Sequence, residues 1–157
     1  IGHERISEFF ATSIEPTGER LLSEDYHFCK EWRENYWKGK EAVDWLDEWC
    51  QDKIQLSDEE VDEIIDRAIA VELDCEKRTV QKEIKYKLPV NIEEEIQKSI
   101  SYILFYRFIK ESKKWNTSGK APYLIPEVWR LMPKSFEECD FNQVPENIKE
   151  AYYKYCY

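Results

Sequence analysis

Glycine is scarce in this chain and histidine nearly absent: 157 residues hold four Gly, six Pro and two His. A many-stranded sandwich needs turn residues every ten positions or so, and so few Gly and Pro favour long helical elements instead. Four scattered glycines make no phosphate-cradling loop. His3 and His27 leave little material for a Ser-His-Asp or Cys-His site, and His27 and Cys29 lie two apart, on different sides of a helix. No run approaches the roughly 18 apolar residues of a membrane span. Ile1 to Phe10 carries Glu4, Arg5 and Glu8 where a signal peptide would have its apolar core. Five cysteines, Cys29, Cys50, Cys75, Cys139 and Cys156, are odd in number and form no C-x-x-C pair. Neither a disulfide framework nor a structural zinc is expected from them. The expectation is reduced thiols in a cytoplasmic protein that holds no metal and no cofactor.

What the chain does contain is bulk and charge. Six Trp, ten Tyr and seven Phe supply core material, and 157 residues suit one domain over 1–157. The net charge of -10 is unevenly spread. Residues 1–75 hold 21 acidic and 8 basic residues (-13), residues 76–120 hold 6 and 11 (+5), and residues 121–157 hold 6 and 4 (-2). Charge of one sign on one face steers association with partners of the opposite sign. The acidic half suits a basic protein surface; the basic stretch over 77–87 suits nucleic acid.

Apolar spacing predicts the elements. Ile6, Phe9, Phe10 and Ile14 mark a helix over 3–14, and a second is expected over 22–37, ended by Gly39. A third covers Lys40 to Gln51. Ser57 and Glu60 form a capping box that opens a fourth, with Val61, Ile64, Ile65, Ala68 and Ile69 on its inner stripe. From Thr79 to Leu88 apolar and polar residues nearly alternate, which predicts a strand paired as a hairpin with Val71 to Cys75. Asn91 caps a long helix over about 92–114 that is apolar nearly all round in its second half, so it should form the centre of the fold, with Ile100 and Leu104 in the core. Ala121 to Ile125 is read as a strand, Pro126 as the start of a short helix, and Pro145 as the first turn of the last one. The expected architecture is mainly α: six or seven helices around a buried central helix, with one small β-hairpin near 71–88.

Two groups of residues suggest function. Asp58, Glu59, Asp62, Glu63 and Asp66 recur at spacings of three and four, so one helix would present them together as an acidic partner-binding face. Inhibitors, immunity proteins and viral antagonists of nucleic-acid enzymes are often built this way, and the leading reading is a non-enzymatic interaction protein of that type. The alternative catalytic set is Asp74 with Glu83 and Lys85. Divalent-metal nucleases place an Asp on one strand and a Glu-x-Lys pair on the next, where the carboxylates hold the ion and the lysine orients water or stabilises developing charge.

The string Lys38-Gly39-Lys40-Glu41-Ala42-Val43-Asp44-Trp45-Leu46 resembles the first-helix signature of DEP domains, which are small winged-helix signalling modules. The resemblance runs from about Asp25 to Leu88. It implies a winged-helix adaptor that uses a basic hairpin, ending in Tyr86-Lys87-Leu88, on nucleic acid or an acidic membrane surface.

Overall fold

The computed structural model describes residues 36–157. The expected helix over 3–14, His3, His27 and Cys29 lie outside the described residues. Of the expected helix over 22–37 only Tyr36 and Trp37 are described, and they are extended. They form β1 (Tyr36–Trp37), paired antiparallel with β2 (Lys40–Glu41) in the register Tyr36 to Glu41 and Trp37 to Lys40. Lys38 and Gly39 both have positive φ, 49° and 85°. That is the condition for the tight two-residue turn that best matches strand twist, so Gly39 turns a hairpin and does not end a helix.

Among the described residues five α-helices follow: α1 (Ala42–Cys50), α2 (Asp58–Lys85), α3 (Ile92–Ser112), α4 (Pro126–Trp129) and α5 (Glu146–Tyr155). Short 3-10 turns cover Pro122–Leu124 and Phe136–Glu138. The first of these replaces the strand expected over 121–125. Residues 36–157 are thus mainly helical, with one small hairpin among them, at 36–41.

The hairpin expected at 71–88 is corrected: residues 71–85 are the second half of α2. No Gly or Pro interrupts the chain between Ser57 and Pro89, so nothing stops the helix once its capping box has started it. Ser57 Oγ accepts from Glu60 N at 3.2 Å, and Glu60 Oε1 accepts from Ser57 N at 3.1 Å. The alternation misled because Val80, Ile84 and Leu88 are four apart, a spacing that serves period two and period 3.6 alike. Burial decides between them. Lys82 and Glu83 are both buried while Ile84 is 58% exposed, which no strand with an apolar inner face would show.

α2 ends in a six-residue lock. Leu88 N donates to Glu83 O at 3.0 Å and Lys87 N to Ile84 O at 3.2 Å, with Lys87 left-handed at φ 51°. These are the paired bonds of a Schellman ending, a position that glycine usually fills because it has no Cβ to clash. Lys87→Gly is therefore expected to stabilise the fold by about 0.5–1 kcal/mol. Urea unfolding would show it, and a loss of stability would contradict the assignment.

α2 and α3 pack along each other, and α1 packs on α2. Asn91 caps α3 by accepting from Glu94 N at 3.1 Å. Ile100 and Leu104 are buried as expected, at 0% and 1% exposure. α5 covers α3 through aromatic rings: Phe108 lies 4.9 Å from Tyr152 and 4.8 Å from Tyr153, and Phe105 lies 4.9 Å from Tyr152. The Tyr152 hydroxyl donates to Ser101 O at 2.7 Å. No helix among the described residues is long and apolar enough to cross a membrane.

Candidate functional site

The five acids expected to form a face all lie in the first half of α2, Glu59, Glu63 and Asp66 on the side away from its apolar stripe, Asp58 and Asp62 nearer to it. They do two different jobs. Asp58, Glu59, Glu63 and Asp66 are exposed and Asp62 is half-buried. Lys110 of α3 donates to both carboxylate oxygens of Asp62 at 2.9 Å. The Arg107 guanidinium binds Asp66, lies 3.8 Å from Asp62, and donates from Nε to Phe141 O at 3.0 Å. Asp62 and Asp66 therefore tie α2 to α3. Glu63 pairs with Arg67 one turn on at 3.1 Å. Asp58 and Glu59 make no ion pair with the described residues, and they sit in the first turn, where the helix dipole favours negative charge.

Sequence reasoning missed the cations. The available signal was their isolation: between Ser99 and Lys110 the helix is otherwise uncharged, apart from Arg107. A charge in an apolar stretch must find a partner on a neighbouring element. Arg107 also holds the Phe141 carbonyl, and Glu137, Glu138 and Asp140, just before it in sequence, are exposed. The five carboxylates on this half of α2 are thus set against three cations, Arg67, Arg107 and Lys110, while Glu60 beside them pairs with Lys38 at 3.4 Å.

The alternative catalytic residues are spread along α2. Asp74 and Glu83 are nine residues apart, a rise of about 13.5 Å at 1.5 Å per residue, and Glu83 and Lys85 point to nearly opposite sides. Asp74 pairs with Arg78 at 3.3 Å, Glu83 is buried, and Lys85 lies over the Tyr86 ring at 5.2 Å. The helix does not bring the two carboxylates to one ion, and no group of three His, Cys, Asp or Glu among the described residues is placed to hold a metal. The basic run 77–87 is likewise divided: Arg78 and Lys82 turn inward while Lys85 and Lys87 face solvent. The wing that the DEP resemblance implies at 71–88 is replaced by this same helix.

A buried polar cluster joins the helices farther along. The Tyr102 hydroxyl lies 2.7 Å from Glu76 Oε1 and 3.1 Å from Glu72 Oε2, and Ser99 Oγ lies 2.8 Å from Glu76 Oε2. Burial, and then the charges of Glu72 and Glu76, push the Tyr102 phenol well above its ordinary value, so it remains a donor. Burial also pushes the Cys50 and Cys139 thiols up to about 11 and Cys156 to about 12. At neutral pH all three are protonated and poor nucleophiles. A shallow cleft of about 470 Å³ at the start of α3 has mixed charge and is partly closed on itself, with Lys134 3.5 Å from Glu93 and Gln97 donating to Met132 O at 2.8 Å.

Compared with known proteins, the chain matches no family model, no curated protein and no solved structure.

Proposed function

We propose that this is a non-enzymatic interaction protein whose acidic α2 surface engages a basic protein and inhibits or regulates it. One observation carries the reading. Asp58, Glu59 and Glu63 are exposed on the first turns of a capped helix. A fixed array of like charge costs the fold some self-repulsion, and it raises the encounter rate with an oppositely charged surface. The test follows from the division of labour just described. Asp62 and Asp66 hold α3, so reversing them would weaken the fold and confuse the result. Reversing Asp58, Glu59 and Glu63 to Lys leaves those ties in place. Affinity capture from the native host is expected to recover a basic protein with the natural chain and to lose it with the triple variant. Equal recovery by both chains would remove the acidic surface from the account.

A further inference from the structure

One face of α2 is mostly exposed, although Asp66 on it accepts from Arg107 and Leu73 packs against the edge of the core. At about 100° per residue, Glu59, Glu63, Asp66, Ala70, Leu73, Lys77, Gln81 and Ile84 fall within about 40° either side of one line along the axis. Six of these are exposed, and only Leu73 and Lys77 are half-buried. The opposite side of the helix is the inner one, carrying Val61, Ile65, Ala68, Glu72 and Glu76. The mostly exposed stripe therefore runs from Glu59 to Ile84, about 38 Å at 1.5 Å per residue.

The composition of the stripe is ordered. Its first third is acidic, its middle is Ala70 and Leu73, and its last third is Lys77, Gln81 and Ile84. Turned end for end about a two-fold axis between residues 71 and 72, it complements itself. Asp66 meets Lys77 of the other copy, Ala70 meets Leu73, Glu63 meets Gln81, and the methylenes of Glu59 meet Ile84. By symmetry each contact occurs twice. Asp66 keeps an oxygen for this, since the bond from Arg107 is to Oδ1 alone.

We infer that the protein pairs with a second copy of itself, α2 antiparallel to α2, through this stripe. A strip about 38 Å long and about 10 Å wide covers roughly 400 Å² per copy, half of a standard interface side. The pair is accordingly weak and reversible, and it loosens as salt screens its charges. It also covers Glu59, Glu63 and Asp66, so a second copy and a basic partner compete for the same ground.

Sedimentation of the full chain without any partner tests the pairing apart from the proposed function. The natural chain should show a concentration-dependent dimer at low salt that dissociates at high salt. Lys77→Glu and Asp66→Lys should each sediment as monomers, because each places like charges together. An equal mixture of the two should form a heterodimer, since both cross-pairs are then of opposite sign. A parallel pairing would set Asp66 on Asp66 and Lys77 on Lys77 in the natural chain, so only the antiparallel register predicts both the natural dimer and the rescue. Asp66→Lys also disturbs the Arg107 pair, so exposed Gln81 supplies a second route. Gln81→Lys puts a cation opposite Glu63 twice and should tighten the dimer about fivefold, while Gln81→Glu should loosen it. A natural chain monomeric at every concentration, a dimer indifferent to Lys77→Glu and Gln81 changes, or a mixture of the two charge variants, both folded by circular dichroism, that fails to associate would each overturn the pairing.

Discussion

Replacing Phe108 by Ala is expected to cost about 3–5 kcal/mol, the range for an aromatic removed from a packed core. Phe108 is 1% exposed and sits among four rings. Phe105 is at 5.5 Å, Tyr152 at 4.9 Å, Tyr153 at 4.8 Å and Tyr157 at 6.4 Å. These rings are the junction of α3 with α5 and the C-terminus. The cavity cannot close by a small shift, because Tyr152 is fixed by its bond to Ser101 O and Lys149 is held by Glu111 at 2.9 Å. A domain has only about 5–15 kcal/mol to lose, so the variant should sit near its unfolding midpoint under mild denaturant. Equilibrium urea unfolding measures this directly. A loss under about 1 kcal/mol would mean that α5 does not pack on α3 in solution.

Tyr102→Phe is expected to cost about 1.5–3 kcal/mol, the range for a hydrogen bond to a charged group. The substitution keeps the ring, including its edge contact with Tyr123 at 6.2 Å, and removes only the hydroxyl. That hydroxyl lies against two carboxylates that are 5% and 2% exposed, Glu72 and Glu76. A buried carboxylate that loses a donor keeps its desolvation cost and loses part of the compensation. The same denaturation experiment serves, and a change under about 0.5 kcal/mol would show that water or another donor replaces the hydroxyl freely.

These two variants probe regions of different legibility. The Phe108 junction follows from residue type: apart from Ser101 and Arg107, α3 between Ile100 and Ile109 is apolar nearly all round, and such a helix is buried. The capping box at Ser57, the Asn91 cap and the burial of Ile100 and Leu104 were equally open to reading, because each depends on neighbours in sequence. The Tyr102 cluster was not. Glu72, Glu76, Lys82 and Glu83 are buried polar residues, and they continue the inner face of α2 past the point where its apolar stripe stops. Periodicity counted in hydrophobicity lost the helix there and found an alternation instead. The acidic surface was legible as a pattern, since spacings of three and four share a helix side. Its division into Asp62 and Asp66, which bind α3, and Asp58, Glu59 and Glu63, which face solvent, depends on Arg107 and Lys110. Those stand more than 40 residues away in sequence. The tight turn at Lys38-Gly39 was missed because glycine after an apolar run also signals the end of a helix, and only the backbone angles separate the two.

The central claim is that the α2 surface recruits a basic partner by charge. The most direct measurement is the association rate of the captured partner as a function of salt, for the natural chain and for the chain with Asp58, Glu59 and Glu63 reversed to Lys. Steered association falls steeply as ions screen the encounter. The account predicts an on-rate for the natural chain that drops at least tenfold between about 50 mM and about 500 mM salt. For the variant it predicts a slower rate, nearly independent of salt. Equal on-rates with equal salt dependence for the two chains would contradict it.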